Sequence, residues 1–166
     1  MKSVGPRTTL VLGIGNVLLT DEGVGIHVLR YLARHHAGLP GVEYLDGGTL
    51  NFLLTPRIER AERLIVIDAS NLGVPPGTYR ILQNGDMDRF LQRAGRSAHE
   101  VSLLDLLAMA RWLGRLPAPR ALVAVQPASL DWGDGPSPAL TLAISSIAGA
   151  VVRLLEAWNG IAPPLD

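Results

Sequence analysis

Three short, almost purely apolar runs, at residues 10–14, 64–67 and 121–125, constrain this chain more than any other feature. A strand that is apolar at every position, not at every second one, must be covered on both faces. That is the condition of a central strand in a parallel sheet. The stretches between the runs carry helical spacing. Val24, Val28, Leu29 and Leu32 share one face of a helix over residues 21–36, and Asp21 stands where an N-cap would. Leu103, Leu104, Leu107 and Ala110 mark a helix over 101–113, and residues 140–158 read as a long, mostly apolar one. Residues 42–45 and 78–82 read as two further strands, the second at an edge, and 51–55 as one helical turn that Pro56 interrupts. The alternation predicts a three-layer α/β fold, a twisted, mostly parallel sheet of about five strands between helices. With no linker, internal repeat or low-complexity tract, the 166 residues read as a single domain over 1–166.

Composition narrows the chemistry. Fifteen basic residues balance fifteen acidic ones, with no long block of either sign, so charge gives no reason to expect nucleic acid or an anionic membrane as partner. The chain has no cysteine, which excludes disulfides, thiolate metal sites and a cysteine nucleophile. The polar start at Met1 leads straight into the first strand, without the h-region of a signal peptide. No uninterrupted apolar run reaches the length of about 18 residues that a membrane span needs. A cytoplasmic protein is expected.

In a doubly wound sheet, ligands collect beyond the carboxyl ends of the strands. The segments there are 16–22, 46–49, 68–71 and 126–132, and each carries a carboxylate. Gly13-Ile14-Gly15 after the first strand suggests a dinucleotide loop, with Asp46 where a ribose-binding acid would sit. The third glycine is replaced by Leu18, however, and Asp21 and Glu22 would repel a pyrophosphate. The serine-hydrolase elbow is absent, and Gly95-Arg96-Ser97-Ala98-His99 matches only half of it. A triad could be drawn from Ser70, His99 and an aspartate, as it could in most chains of this size. His99-Glu100 opens like a zincin helix, but Leu103 stands where the second histidine belongs.

Glu22, Asp68 and His99 remain. Singly, each has a plain explanation: an acid in the first turn of a helix, a cap on a strand end, an exposed residue ahead of a helix. Together, two carboxylates and an imidazole near one sheet edge suit a divalent ion with open coordination positions. His27 is a poorer ligand, because it lies five residues after Glu22 and about 140° around the helix from it.

These segments together resemble one family. Leu12-Gly13-Ile14-Gly15-Asn16-Val17-Leu18-Leu19-Thr20-Asp21-Glu22-Gly23-Val24-Gly25 is similar to the opening motif of the [NiFe]-hydrogenase maturation endopeptidases. Asp46-Gly47-Gly48-Thr49 resembles their D-G-G-T segment, and Leu64-Ile65-Val66-Ile67-Asp68-Ala69 their third strand and its terminal acid. Ser97-Ala98-His99-Glu100-Val101-Ser102-Leu103 is similar to their histidine segment. Gln126-Pro127 also fits, while Ala128 stands where an acid is common in the family.

The resemblance implies an endopeptidase that removes the C-terminal extension of the nickel-loaded hydrogenase large-subunit precursor. It implies that Glu22, Asp68 and His99 bind nickel, supplied by the substrate and not retained by the free enzyme. It associates Asp46, Gly47 and Gly48 with substrate recognition. Asp46 and Asp21 both remain open as the base, and no catalytic residue is assigned. The alternative reading is a non-catalytic nickel-binding accessory protein of hydrogenase assembly that uses the same three ligands.

Overall fold

The computed structural model of the chain describes residues 7–93 and 98–160, with the side chains of all but 98–102. Five strands form one sheet: β1 (Thr9–Gly13), β2 (Val42–Asp46), β3 (Arg63–Ala69), β4 (Tyr79–Gln83) and β5 (Arg120–Val125). Their order is β2-β1-β3-β5-β4. The first four in that order run parallel, and β4 closes one edge antiparallel to β5. β1, β3 and β5 are buried at every position, as their unbroken apolar character requires, while the edge strands β2 and β4 are only partly covered.

Helices cover both faces. α1 (Val24–His35) and α5 (Pro138–Trp158) lie on one side, where Val28, Leu29 and Leu32 meet Ile65, Ile67, Val123, Ile147 and Val151. α2 (Thr55–Arg60), α3 (Gly85–Leu91) and α4 (Ala98–Trp112) lie on the other, over Leu12, Leu64, Val66, Leu122 and Ala124. The expected three-layer arrangement is therefore present.

Several boundaries differ from the sequence reading. Pro56 does not end a helix; it occupies the first turn of α2, where its missing N–H costs nothing. α4 begins at Ala98, not Val101. α5 begins at Pro138 because the Ser137 hydroxyl accepts from the Leu140 amide and caps it. α3 was not foreseen. It is short and charged, and it is fixed from outside: Asp88 accepts from Nε and Nη2 of Arg120 at 3.0 and 2.5 Å and from Arg111 at 2.7 Å. By length and composition alone α5 could cross a membrane, which the sequence reading did not anticipate. Its apolar content has another use here, since Leu140, Ile147, Ala148, Val151, Leu154 and Leu155 are buried in the core.

The start of α1 packs unusually close to the sheet. A Cβ on Gly25 would stand 2.2 Å from the Ile67 carbonyl oxygen and 2.4 Å from that of Ile14, and one on Gly13 would stand 2.5 Å from the oxygen of Gly25. Glycine at these two positions lets backbone rest on backbone. This contact seats the first turn of α1 directly over the carboxyl ends of β1 and β3.

Gly25→Ala should therefore cost about 3 kcal/mol or more, since backbone on two sides prevents relaxation. Gly38→Ala, where an added methyl meets nothing within 4 Å, serves as the control and should change stability by less than about 1 kcal/mol. Urea denaturation of both variants checks this; equal midpoints would contradict the close-packing account.

Candidate active site

Chain order sets the location of the site. From β1 the chain winds outward to β2, then crosses back to place β3 on the other side of β1. The connections leaving β1 and β3 therefore diverge, and they open a crevice between those two carboxyl ends. Open α/β sheets bind ligands at such a switch point. Glu22 lies on the β1 side of the crevice and Asp68 on the β3 side.

Glu22 sits in a 3-10 turn, Thr20–Gly23, that precedes α1 and packs against β3. Gly15, with φ +138°, allows the turn to close: a Cβ there would lie 1.9 Å from the Glu22 carbonyl oxygen. The glycines of this loop thus serve contacts within the chain, not the approach of a pyrophosphate. Glu22 Oε2 is buried. Asp68 is 1% exposed, with both carboxylate oxygens buried. By strand alternation it shares the face of Leu64 and Val66, the face that α4 covers. His99 lies in the first turn of α4, and its side chain is outside the described residues. The structure thus places Glu22 on a turn packed against β3 and Asp68 near the end of β3, with His99 in the first turn of the helix layer that covers the Asp68 face. Among the described residues no three His, Asp or Glu side chains form a metal-binding group. Two carboxylates in the crevice are nonetheless donors that fit a divalent first-row ion.

The adjacent acid, Asp21, has a different fate. It is fully buried, and its carboxylate accepts from the amides of Ala128 at 2.7 Å, Ser129 at 3.1 Å and Ser137 at 2.6 Å. It is not the N-cap of α1, which starts at Val24 without a side-chain cap. It pins the β5–α5 loop to the β1–α1 loop, and both its oxygens are committed to that. Thr20 joins the same junction, its hydroxyl donating to the Asp131 carbonyl at 2.6 Å, and its φ of +40° is held by these contacts. Ala128, which stands where the family commonly has an acid, contributes its amide here.

The D-G-G segment adjoins the crevice. The Gly47 amide donates to Gly13 O at 2.9 Å, and the Gly15 amide donates to Gly48 O at 2.8 Å. Asp46 accepts from the Gly48 amide at 2.9 Å, which closes the turn, and its side chain is otherwise at the surface. Ser70, by contrast, is buried at the end of β3 without the strained elbow that a nucleophilic serine uses. His27 lies on α1 with Nε2 buried and no hydrogen-bond partner among the described residues. Burial first, and then the charge of Arg30, hold its pKa below the usual 6.5, against an upward pull from Asp21.

Comparison with known proteins agrees with this geometry. A family profile described as HycI, hydrogenase maturation protease, matches residues 26–154, more than half of the chain. The hydrogenase expression/formation protein HupD of Rhodobacter capsulatus is 38% identical over 160 residues, covering 96% of this chain and 76% of that protein. The hydrogenase 2 maturation protease of Escherichia coli K12 is 33% identical over 148 residues, covering 89% and 90%. The solved structure of the hydrogenase maturating endopeptidase HybD from E. coli superposes with a TM-score of 0.85 at 32% identity, over 91% of this chain and 93% of that one.

Two outcomes follow from the junction. Asp21→Asn leaves one acceptor oxygen for the three amides that the buried carboxylate serves, and should cost about 3 kcal/mol in urea denaturation; a loss under about 1 kcal/mol would contradict the clamp. His27 is kept neutral in the fold, so its contribution is complete above pH 6.5 and is lost as pH falls through its lowered folded value. His27→Gln should accordingly flatten the decline of stability below pH 6.5, measured as Tm against pH.

Proposed function

Because the chain belongs to the hydrogenase maturation protease family and is an endopeptidase of hydrogenase maturation, we propose that it removes the C-terminal extension of a nickel-loaded [NiFe]-hydrogenase large-subunit precursor. The observation that carries the reading is the pair of carboxylates, Glu22 and Asp68, set at the switch point between β1 and β3. In this reading His99 completes the ligand set, and the nickel arrives with the substrate. An ion held by three such side chains keeps several coordination positions for the precursor's own groups. Affinity then depends on the metal being present, which makes cutting conditional on nickel insertion. The whole chain acts as one domain, in the cytoplasm, without nucleic acid or membrane as partner.

Asp46, Gly47 and Gly48 serve substrate recognition in this account. Asp46 uses one oxygen to close its own turn and presents the rest of its carboxylate at the surface, and no side chain at Gly48 obstructs a peptide. A protein substrate is also supported by Leu18 and Trp132, 55% and 79% exposed on the two loops that Asp21 joins. Asp21 is a poor candidate for the base, since three amides already occupy it. The relatives' description as proteases favours catalysis over the non-catalytic nickel-binding alternative.

Asp68→Asn tests the reading directly. The substitution keeps size and removes the charge a divalent ion needs. Cleavage of loaded precursor, followed by mass spectrometry, should fall about a hundredfold or more while Tm changes by a few degrees at most. Intact cleavage per folded molecule, with a large loss of Tm, would make Asp68 a structural residue. The purified protein alone should carry far less than one equivalent of nickel, read by elemental analysis; stoichiometric retained nickel would make the metal resident.

A further inference from the structure

We propose that a cleft beside the site, between β4 and α3, binds a carboxylate of the precursor through Arg80 and Arg93, at least about three residues along the peptide from the group held at Asp68. The inference rests on the precursor reading above and deepens it. The cleft encloses about 270 Å³, with Leu72, Leu82 and Phe90 forming its apolar side and three arginines, Arg80, Arg89 and Arg93, its rim. Asp86, also on the rim, pairs with Arg89 at 2.5 Å and offsets that charge. Among the described residues no acid lies within 4 Å of Arg80 or Arg93, so two guanidinium groups converge on one cleft without an ion-pair partner.

The register of the sheet ties this cleft to the site. Asp68 of β3 pairs with Ala124 of β5, and Ala124 pairs in turn with Arg80 of β4. The three residues form one row across the sheet, and directly paired residues point to the same face. Arg80 therefore stands two strands from Asp68, on its face, with Ala124, buried beneath the helix layer, between them. Strands lie about 4.8 Å apart, which puts the two Cα atoms roughly 10 Å from each other. An extended peptide advances about 3.3–3.6 Å per residue, so a peptide that passes around the buried Ala124 spans the interval with at least about three residues. The next rows of this face are apolar, with Val66 paired to Leu122 and Leu122 to Leu82.

A polypeptide substrate carries anionic groups of two kinds, Asp or Glu side chains and its terminal carboxylate. Both match the guanidinium fork, and the apolar side of the cleft strengthens the attraction by excluding water. Arg80 and Arg93 would thus select the peptide's register over the site, while Glu22, Asp68 and His99 engage the metal.

The test measures the Kd of nickel-loaded precursor for the full chain and for Arg80→Gln and Arg93→Gln. The precursor is used unchanged, with single Asp→Asn or Glu→Gln changes in its C-terminal segment, and with its C-terminus amidated by ligation. Each arginine variant is expected to weaken binding about tenfold, and less so in high salt. One precursor change should weaken the unaltered enzyme by the same factor and add nothing to Arg80→Gln. If that change is the amide, the terminal carboxylate is the group; otherwise it is the side chain so identified. Arg80→Glu should be rescued by Lys at the identified side chain. Binding within twofold of the unaltered enzyme for both arginine variants would overturn the proposal. So would precursor changes that weaken Arg80→Gln as much as they weaken the unaltered enzyme. Cleavage assayed in parallel separates the two readings: tight binding without cutting defeats the protease reading alone, and no binding by the unaltered enzyme defeats both.

Discussion

Backbone contact between Gly25 and the carbonyls of Ile14 and Ile67 is the constraint on which the rest of this structure depends. A helix laid on a sheet ordinarily stands off by the depth of its side chains, with the layers about 10 Å apart. Glycines at 13 and 25 remove that spacing at one point, over the exits of β1 and β3. The turn before α1 then has no room to leave the sheet, and it carries Glu22 down against β3. Asp68 lies at the end of the strand it touches. The turn that carries Glu22 and the strand that ends in Asp68 are thus packed together as a consequence of close packing, before any requirement of chemistry is considered.

Such an arrangement needs an anchor on its other side, and Asp21 supplies it. Neighbouring acids in one turn divide the work. Asp21 faces inward and binds three amides of the β5–α5 loop, which also fixes the capped start of α5 at Ser137. Glu22 follows it in the same turn, with Oε2 buried. A buried carboxylate surrounded by backbone donors is stable where it is and has little left to offer a substrate. The sequence pointed to Asp21 as an N-cap or a base; its three amide partners make it instead the clamp between two loops.

The parts legible in the sequence were those decided locally. Unbroken apolar strands foretold a parallel sheet covered twice, and the face of Val28, Leu29 and Leu32 foretold α1. What could not be read was decided by distant partners. α3 exists because Arg120, on another strand, holds Asp88. Pro56 starts a helix instead of ending one because the chain before it already turns through Phe52–Leu54. The row from Asp68 through Ala124 to Arg80 joins three strands, and no local pattern announces a register across the sheet. Its only trace in the sequence is an arginine in an otherwise half-apolar edge strand.

The central claim is that metal carried by the substrate, and held by side chains at the β1/β3 crevice, licenses a single cut. The most direct measurement compares nickel-loaded and nickel-free large-subunit precursor, each incubated with the purified protein and analysed by mass spectrometry. The account predicts one cut near the C-terminus of the loaded precursor and none in the nickel-free form. Equal cutting of both forms would contradict it, and would leave Glu22 and Asp68 without the role assigned to them.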